Sequence, residues 1–308
     1  MRTPLVLGLA LAVIGCAPAA EEAPHQHPPT EETAGSCEPV FGEDMIRLAA
    51  GAKLAPGQEG SWCFRWTTPR RLEITGFKGA LGPGGHHALL LARASSTEPD
   101  GLAPCSEAEL MDAQRVGAFD LLAGVSYESS GQRFEFPSAP VQAGLAVAPG
   151  TQLIFDAHLH NSGTSELAGC ASLELSTGRP VSASLIFRTV LPEAQYSLVV
   201  PARGAVDVTY EEPAGGHYRI VASSTHMHEG GKHVRFSIKE TGQTLYETSN
   251  WANPTPVVHA ARKLLVEAGQ TFRLECSFEN PGAMDQRFPE QMCVGGMYLL
   301  PCSLPGAC

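Results

Sequence analysis

Several absences narrow the reading before any motif is considered. Positive charge is scarce: 21 Lys and Arg stand against 32 Asp and Glu, for a formal net charge of −11. A phosphate-reading surface needs clustered Lys and Arg, so nucleic acid is not an expected partner. Beyond the first residues no apolar run approaches the roughly 20 residues that a bilayer-spanning helix needs. No two cysteines stand in a Cys-x-x-Cys pair, which argues against a zinc ribbon. Helical periodicity is nearly missing too, and only Ser106 to Gln114 reads as a helix.

What is present begins with an export signal. Arg2, an apolar run from Leu5 to Ile14 and then Gly15-Cys16 have the order and length of a secretory signal peptide. Val13-Ile14-Gly15-Cys16 reads as a bacterial lipoprotein cleavage box. Residues 1–15 are then removed, leaving 308 − 15 = 293 residues with Cys16 lipidated. The expected location is the bacterial cell envelope, on its extracytoplasmic side, held to the membrane through the lipid anchor alone. Residues 16–36 are rich in Glu, Pro and Ala and carry no apolar periodicity, so they read as a solvated tether in which His25 and His27 are passive.

Apart from Cys16, eight of the nine cysteines remain, and an even number in an exported chain points to disulfides whose pairing spacing alone does not give. From Cys37 onward short strands alternate with turns. Arg71 to Thr75 and Arg133 to Phe136 alternate at period two, while Gly57 to Gly60, Gly82 to Gly85 and Glu98 to Gly101 have turn composition. The same style resumes with Tyr196 to Val200, Tyr218 to Val221, Val234 to Ile238, Thr271 to Cys276 and Met297 to Leu300. Strands at this spacing with almost no helix predict an all-β chain of two antiparallel, jelly-roll-like β-sandwiches, residues 37–189 and 190–308, with a cleft between them.

Four short motifs carry candidate chemistry. His226-Met227-His228 lies between two strand-like runs, and residues two apart on a strand point to one face, so both imidazoles can reach one point. His86 and His87 are adjacent, and adjacent residues on a regular strand face opposite ways. Both serve one metal only if the chain is irregular there, and the glycines from Gly82 to Gly85 allow that. Asp156-Ala157-His158-Leu159-His160 looks at first like an amidohydrolase motif. Only 308 − 160 = 148 residues follow it, however, and a (β/α)8 barrel needs about 250 residues in all. Met292 precedes Cys293; a thioether beside two imidazoles suits a copper that cycles between Cu(I) and Cu(II), and an all-imidazole set suits a second copper.

Taken in order, these motifs resemble the copper type II, ascorbate-dependent monooxygenases, the family of peptidylglycine α-hydroxylating monooxygenase and dopamine β-monooxygenase. The resemblance runs from about Cys37 to Cys302 and rests on His86-His87-Ala88-Leu89-Leu90, His158-Leu159-His160-Asn161, His226-Met227-His228 with Gly231-Lys232, and Met292-Cys293. It implies one copper held by His86, His87 and His158 for electron transfer, and a second held by His226, His228 and Met292 where dioxygen reacts. It also implies disulfides Cys37–Cys170, Cys63–Cys105 and Cys276–Cys293, which leaves Cys302 to Cys308. The implied reaction is hydroxylation of a C–H bond of a small molecule or peptide, with O2 and with ascorbate or another one-electron reductant, by a monomer. The peptide-amidating members have an Arg at the position of Ser224 and Asn and Tyr at those of Val294 and Gly296. Serine does not replace a bidentate carboxylate clamp, so peptide amidation is not expected. Three other classes remain open: a copper-binding or copper-delivery lipoprotein without turnover, a silent β-sandwich interaction module, and a zinc hydrolase.

Overall fold

The strand Thr271–Asn280 shows how sequence becomes layer in this chain. Its burial alternates strictly, with Phe272, Leu274, Cys276, Phe278 and Asn280 inward, because successive side chains of a strand leave on opposite faces. The molecule is described here by a computed structural model covering residues 37–304 except 96–97, 107–108, 111–117, 127–128, 191–192, 253, 260–263 and 289. Cys16, the tether and Cys308 lie outside these residues, as does most of the expected helix, of which Glu109 and Leu110 are helical. Among the described residues the fold is nearly all β, as expected for an all-β chain, and belongs to one compact unit.

The first half is a sandwich of two five-stranded antiparallel sheets. One runs, in spatial order, Val40–Phe41, Met45–Leu54, Leu167–Ser176, Gly76–Leu81 and Arg133–Glu135. The other runs Gly101–Cys105, Glu59–Thr67, Gln152–His160, Gly85–Arg93 and Asp120–Ser126. A smaller sheet of Ala183–Ser184, Ala143–Val147 and Leu72–Ile74 closes the side, its first two strands parallel. Gln152–His160 is the centre of the second sheet, and its two faces have separate roles. Leu153, Phe155, Ala157 and Leu159 point into the main core, whereas Ile154 faces a small outer cluster with Cys63, Leu91, Leu110 and Phe119. His158 follows the parity of Ile154 and so lies on that outer face.

The second half opposes the sheet Ile186–Val190, Val294–Pro301, Tyr218–His226, Val257–Val258 to the sheet Gly204–Pro213, Thr271–Asn280, Gly231–Ile238, Gln243–Thr248. Val190, Ile220, Phe236, Leu274, Met297 and Leu299 meet in its core. Ile186–Val190 pairs with Val294–Pro301 from Ile186↔Leu299 to Val190↔Gly295. The second set of sheets therefore begins at Ile186, and the expected boundary at Thr189 cuts through a strand. Tyr196 and Ser197, expected in a strand, belong to a 3-10 turn, Glu193–Ser197, and the strand there is only Val199–Val200.

Tyr298 ties the halves together. It rises from the second half into Phe77, Phe134 and Phe136 of the first, with ring centroids 6.3, 5.6 and 4.7 Å away, and Phe187 closes from beside it at 4.7 Å. Its hydroxyl donates to the Leu122 carbonyl at 3.0 Å, and burial raises its pKa well above that of a free phenol. A small crevice between Pro137, Ala139, Pro140 and Val141 on one side and Arg219, Val221 and His259 on the other marks the border elsewhere.

The disulfides form as the family resemblance implied: Cys37–Cys170, Cys63–Cys105 and Cys276–Cys293. Cys37–Cys170 passes directly over Gly51, where a Cβ would come within 2.5 Å of the Cys37 sulfur. Only glycine leaves room for that bridge on the strand opposite Cys170.

Candidate metal centre

The first ligand set is made by a defect in a ladder. Gly85–Arg93 pairs with Gln152–His160 in regular antiparallel register down to His87↔His158, but the next pair is Gly85↔Leu159. His86 is the extra residue of a β-bulge, the irregularity that two adjacent histidines require if they are to share one point. The bend follows from the turn before it, where Gly84 takes a positive φ of 68° and the Gly85 amide donates to the Gly82 carbonyl. The His160 amide donates to the Gly84 carbonyl at 2.7 Å and fixes the turn to the neighbouring strand.

As a result His86, His87 and His158 converge, with potential ligand atoms all within 4.8 Å of one another. Their ring centroids are 5.2 Å (His86–His87), 5.4 Å (His86–His158) and 4.7 Å (His87–His158) apart. The Nδ1 atoms of His86 and His87 are 3.0 Å apart. Two imidazole donors at about 2.0–2.1 Å from a shared first-row ion and at right angles to each other are separated by about 3 Å. The His158 Nε2 meets Glu59 Oε1 at 3.0 Å, while its Nδ1 is buried. Three nitrogen donors on one outer sheet face thus fit a metal with a preference for imidazole. Cys63, Cys105 and Asp156 also cluster, but the two sulfurs are bonded to each other and are not available as thiolates.

The second set is assembled from a strand end and a loop. His226 is the last residue of Tyr218–His226, and His228 lies just beyond it, before the turn at Glu229-Gly230, so the pair does not lie on one continuous strand as expected. Their rings nevertheless come together, with centroids 4.7 Å apart. Val294–Pro301 runs antiparallel beside this strand, with Ser224↔Gly296 and His226↔Val294. Continuing that register two residues puts Met292 across from His228, and the segments do stay adjacent, since His228 Nδ1 meets the Glu290 carbonyl at 3.0 Å. With Nδ1 donating to that carbonyl, Nε2 is the donor left for a metal. Gln291 Nε2 also donates to the Glu229 carbonyl. Gln195, fully buried on the 3-10 turn, accepts from the Cys293 amide at 2.7 Å and donates to its carbonyl. The Cys276–Cys293 bridge completes the frame around Met292.

His226 shares the sheet face of Tyr298, the face turned to the first half. Part of its surface meets solvent, yet it is densely surrounded, and its pKa falls from 6.5 to about 3. Burial is the main cause, followed by charge repulsion from His228, His87 and His86. The two ligand sets, on different halves, therefore lie within electrostatic reach of each other. Ser224 and Gly296 sit side by side on the same face, with the Phe187 ring 3.1 Å from where a Gly296 Cβ would be.

Sequence reasoning did not find Glu59, Gln195 or Gln291. Glu59 was legible only as part of a turn, and its bond to His158 depends on a strand pairing 99 residues away (158 − 59). No family model and no curated protein matches this chain. Among solved structures it is similar to the major capsid protein P2 from bacteriophage PM2, at 13% identity over 84% of this chain and 97% of that one, with a TM-score of 0.35. It is also similar to peptide:N-glycanase F, at 8% identity over 85% and 97%, with a TM-score of 0.38. Likeness at that level carries no argument about family or activity.

Proposed function

We propose that this chain is an exported copper-dependent monooxygenase that hydroxylates a C–H bond of a small molecule or peptide, using O2 and a one-electron reductant such as ascorbate. The observation that carries the reading is the pair of ligand sets. One is an all-imidazole trio on a bulged sheet face, and the other is a pair of imidazoles with the segment that carries Met292 running beside it, on the other half of the same unit. Imidazole accepts both copper oxidation states, whereas thioether sulfur favours Cu(I); copper would supply one-electron transfer and the reduction of O2. The residues named here hold, orient and shield. His86, His87 and His158 fix three nitrogens; His226 and His228 fix two, and the Gln195, Gln291 and disulfide contacts hold the segment on either side of Met292. Ser224, Val294 and Gly296 offer no group to clamp a terminal carboxylate, so a glycine-extended peptide is not the substrate. The proposed setting is the extracytoplasmic face of a bacterial envelope, with Cys16 lipidated.

The test is metal analysis of the purified chain, followed by O2 uptake and product analysis with copper, ascorbate and a panel of uncharged compounds. Two coppers per chain with substrate-dependent O2 uptake is the expected result. Two coppers with no uptake across the panel would favour the copper-carrying alternative. Tight binding of zinc in preference to copper would sink both.

A further inference from the structure

The outer face of the Gln152–His160 sheet also holds Glu59, whose place the ligand sets do not explain. Glu59 opens the strand Glu59–Thr67 and stands directly across from His160, with Ser61 across from His158. Glu59 is thus the diagonal neighbour of His158 on the same face, a separation that long side chains bridge. It uses that reach for His158, whose Nε2 meets Oε1 at 3.0 Å. The Glu59 side chain is 56% exposed and that of His158 only 16%, so a half-solvated carboxylate grips one end of a shielded ring. As a stabilising ion pair this contact is weak, because an exposed partner loses most of its attraction to water and salt.

Its geometry has another consequence. A carboxylate accepts and does not donate, so a hydrogen shared across this 3.0 Å contact would sit on Nε2. In the neutral ring the lone pair is then on Nδ1, the buried nitrogen of His158. His86 and His87 meet through Nδ1 as well. We infer that Glu59 is the positioning residue of the first ligand set, selecting the His158 tautomer and ring orientation that turn Nδ1 toward the nitrogens of His86 and His87. The inference rests on the copper reading of the previous section only for its effect on metal affinity. The tautomer claim stands on the metal-free chain. Metal-binding histidines generally donate their second ring N–H to such a partner, and losing it costs about 10–100-fold in affinity.

Two variants separate the possibilities. Glu59→Gln keeps an oxygen that can accept from Nε2 but loses the charge, whereas Glu59→Ala removes both. Nitrogen-15 NMR of the metal-free chain reads the His158 tautomer directly. The wild type and Glu59→Gln should show the Nε2–H form, and Glu59→Ala should show a mixture. Copper titration against a chelator should find the first site weakened about 10–100-fold in Glu59→Ala and less in Glu59→Gln, with the His226–His228 site and the melting temperature of the metal-free chain unchanged. An unaltered His158 tautomer in Glu59→Ala overturns the inference, as does equal weakening of both sites together with a lower melting temperature. If the wild type shows the Nε2–H form but takes up no copper, the proposed function fails while the assignment of the tautomer to Glu59 survives.

Discussion

The two ligand sets hold similar side chains in opposite ways. The first is built into the middle of a five-stranded sheet, where hydrogen-bonded neighbours on both sides fix Gln152–His160 and a single bulge turns His86 toward His87 and His158. The second stands where a strand has just ended, and it is held by side-chain bonds from Gln195 and Gln291, a carbonyl contact to His228 and one disulfide. A ladder cannot give way at one residue without disturbing its neighbours, whereas a loop tied at several points can shift as those ties change. The proposed division of labour matches this difference. A site that only passes electrons gains from ligands that stay still, and a site that meets O2 and substrate needs an approach and room for a changing coordination number.

The largest expected effect tests whether the sets are separate. His87→Ala removes one of three donors from the rigid set and leaves His226 and His228 intact, so copper should fall from two per chain to about one by dialysis and metal analysis. Sites that share no residue act nearly independently. Loss of both coppers from this one substitution would mean a single shared centre and erase the comparison.

Met292→Leu probes the loosely held set alone. The swap nearly conserves volume, and in a core it usually costs under about 1.5 kcal/mol. If Met292 only fills space, O2 consumption with ascorbate and substrate should be unchanged. If its sulfur is a ligand, Cu(II) should stay on His226 and His228, while the rate falls by more than about tenfold, since even outer partners of metal ligands are worth about 10–100-fold.

Removing the bridge behind Met292 gives a smaller effect, on stability. Cys276 and Cys293 are 17 residues apart, and closing a loop of about 15 residues stabilises a fold by about 3 kcal/mol in the chain-entropy account. The double variant Cys276→Ala/Cys293→Ala should lose about that much in urea unfolding. It should also weaken Cu(I) retention at the second site and leave the first alone. Equal weakening at both would show that the loop's support reaches the rigid set.

Much of this was legible in the sequence because it is local. Alternation marked the strands, a Gly-rich turn beside His86-His87 foretold irregular backbone, and the paired imidazoles of His226 and His228 needed only a spacing of two. What failed was non-local or subtle. Ile186–Val190 belongs to the second half because it pairs with a strand more than a hundred residues later, and nothing between Ile186 and Thr189 announces that partner. Tyr196 and Ser197 look like strand residues by composition, yet Gln195 is needed as a buried clamp on Cys293 and the chain turns there to supply it. Glu59 reads as a turn residue until the register with His160 is known.

The gentlest test of the comparison uses protons in place of metal. In the metal-free chain His226 has a pKa of about 3, against 6.5 for a free imidazole, because its dense surroundings and the neighbouring histidines disfavour its charged form. The folded chain therefore keeps His226 neutral at pH values where the unfolded chain has already taken up the proton. A depressed folded-state pKa gives stability that is complete above about 6.5 and is lost as pH falls toward about 3, with a slope of at most about 1.4 kcal/mol per pH unit. Carboxylates titrate in the same range, so the reading is a difference between two chains: wild type and His226→Asn, which has no proton to gain there. Urea unfolding at steps from pH 7 to 5 should show the wild type losing stability more steeply than the variant. The same difference should shrink when His87 is also replaced by Ala, because part of the repulsion comes from the first half. Parallel slopes for wild type and His226→Asn would show that His226 protonates as readily folded as unfolded, and the electrostatic link between the rigid set and the loop-held set would be gone.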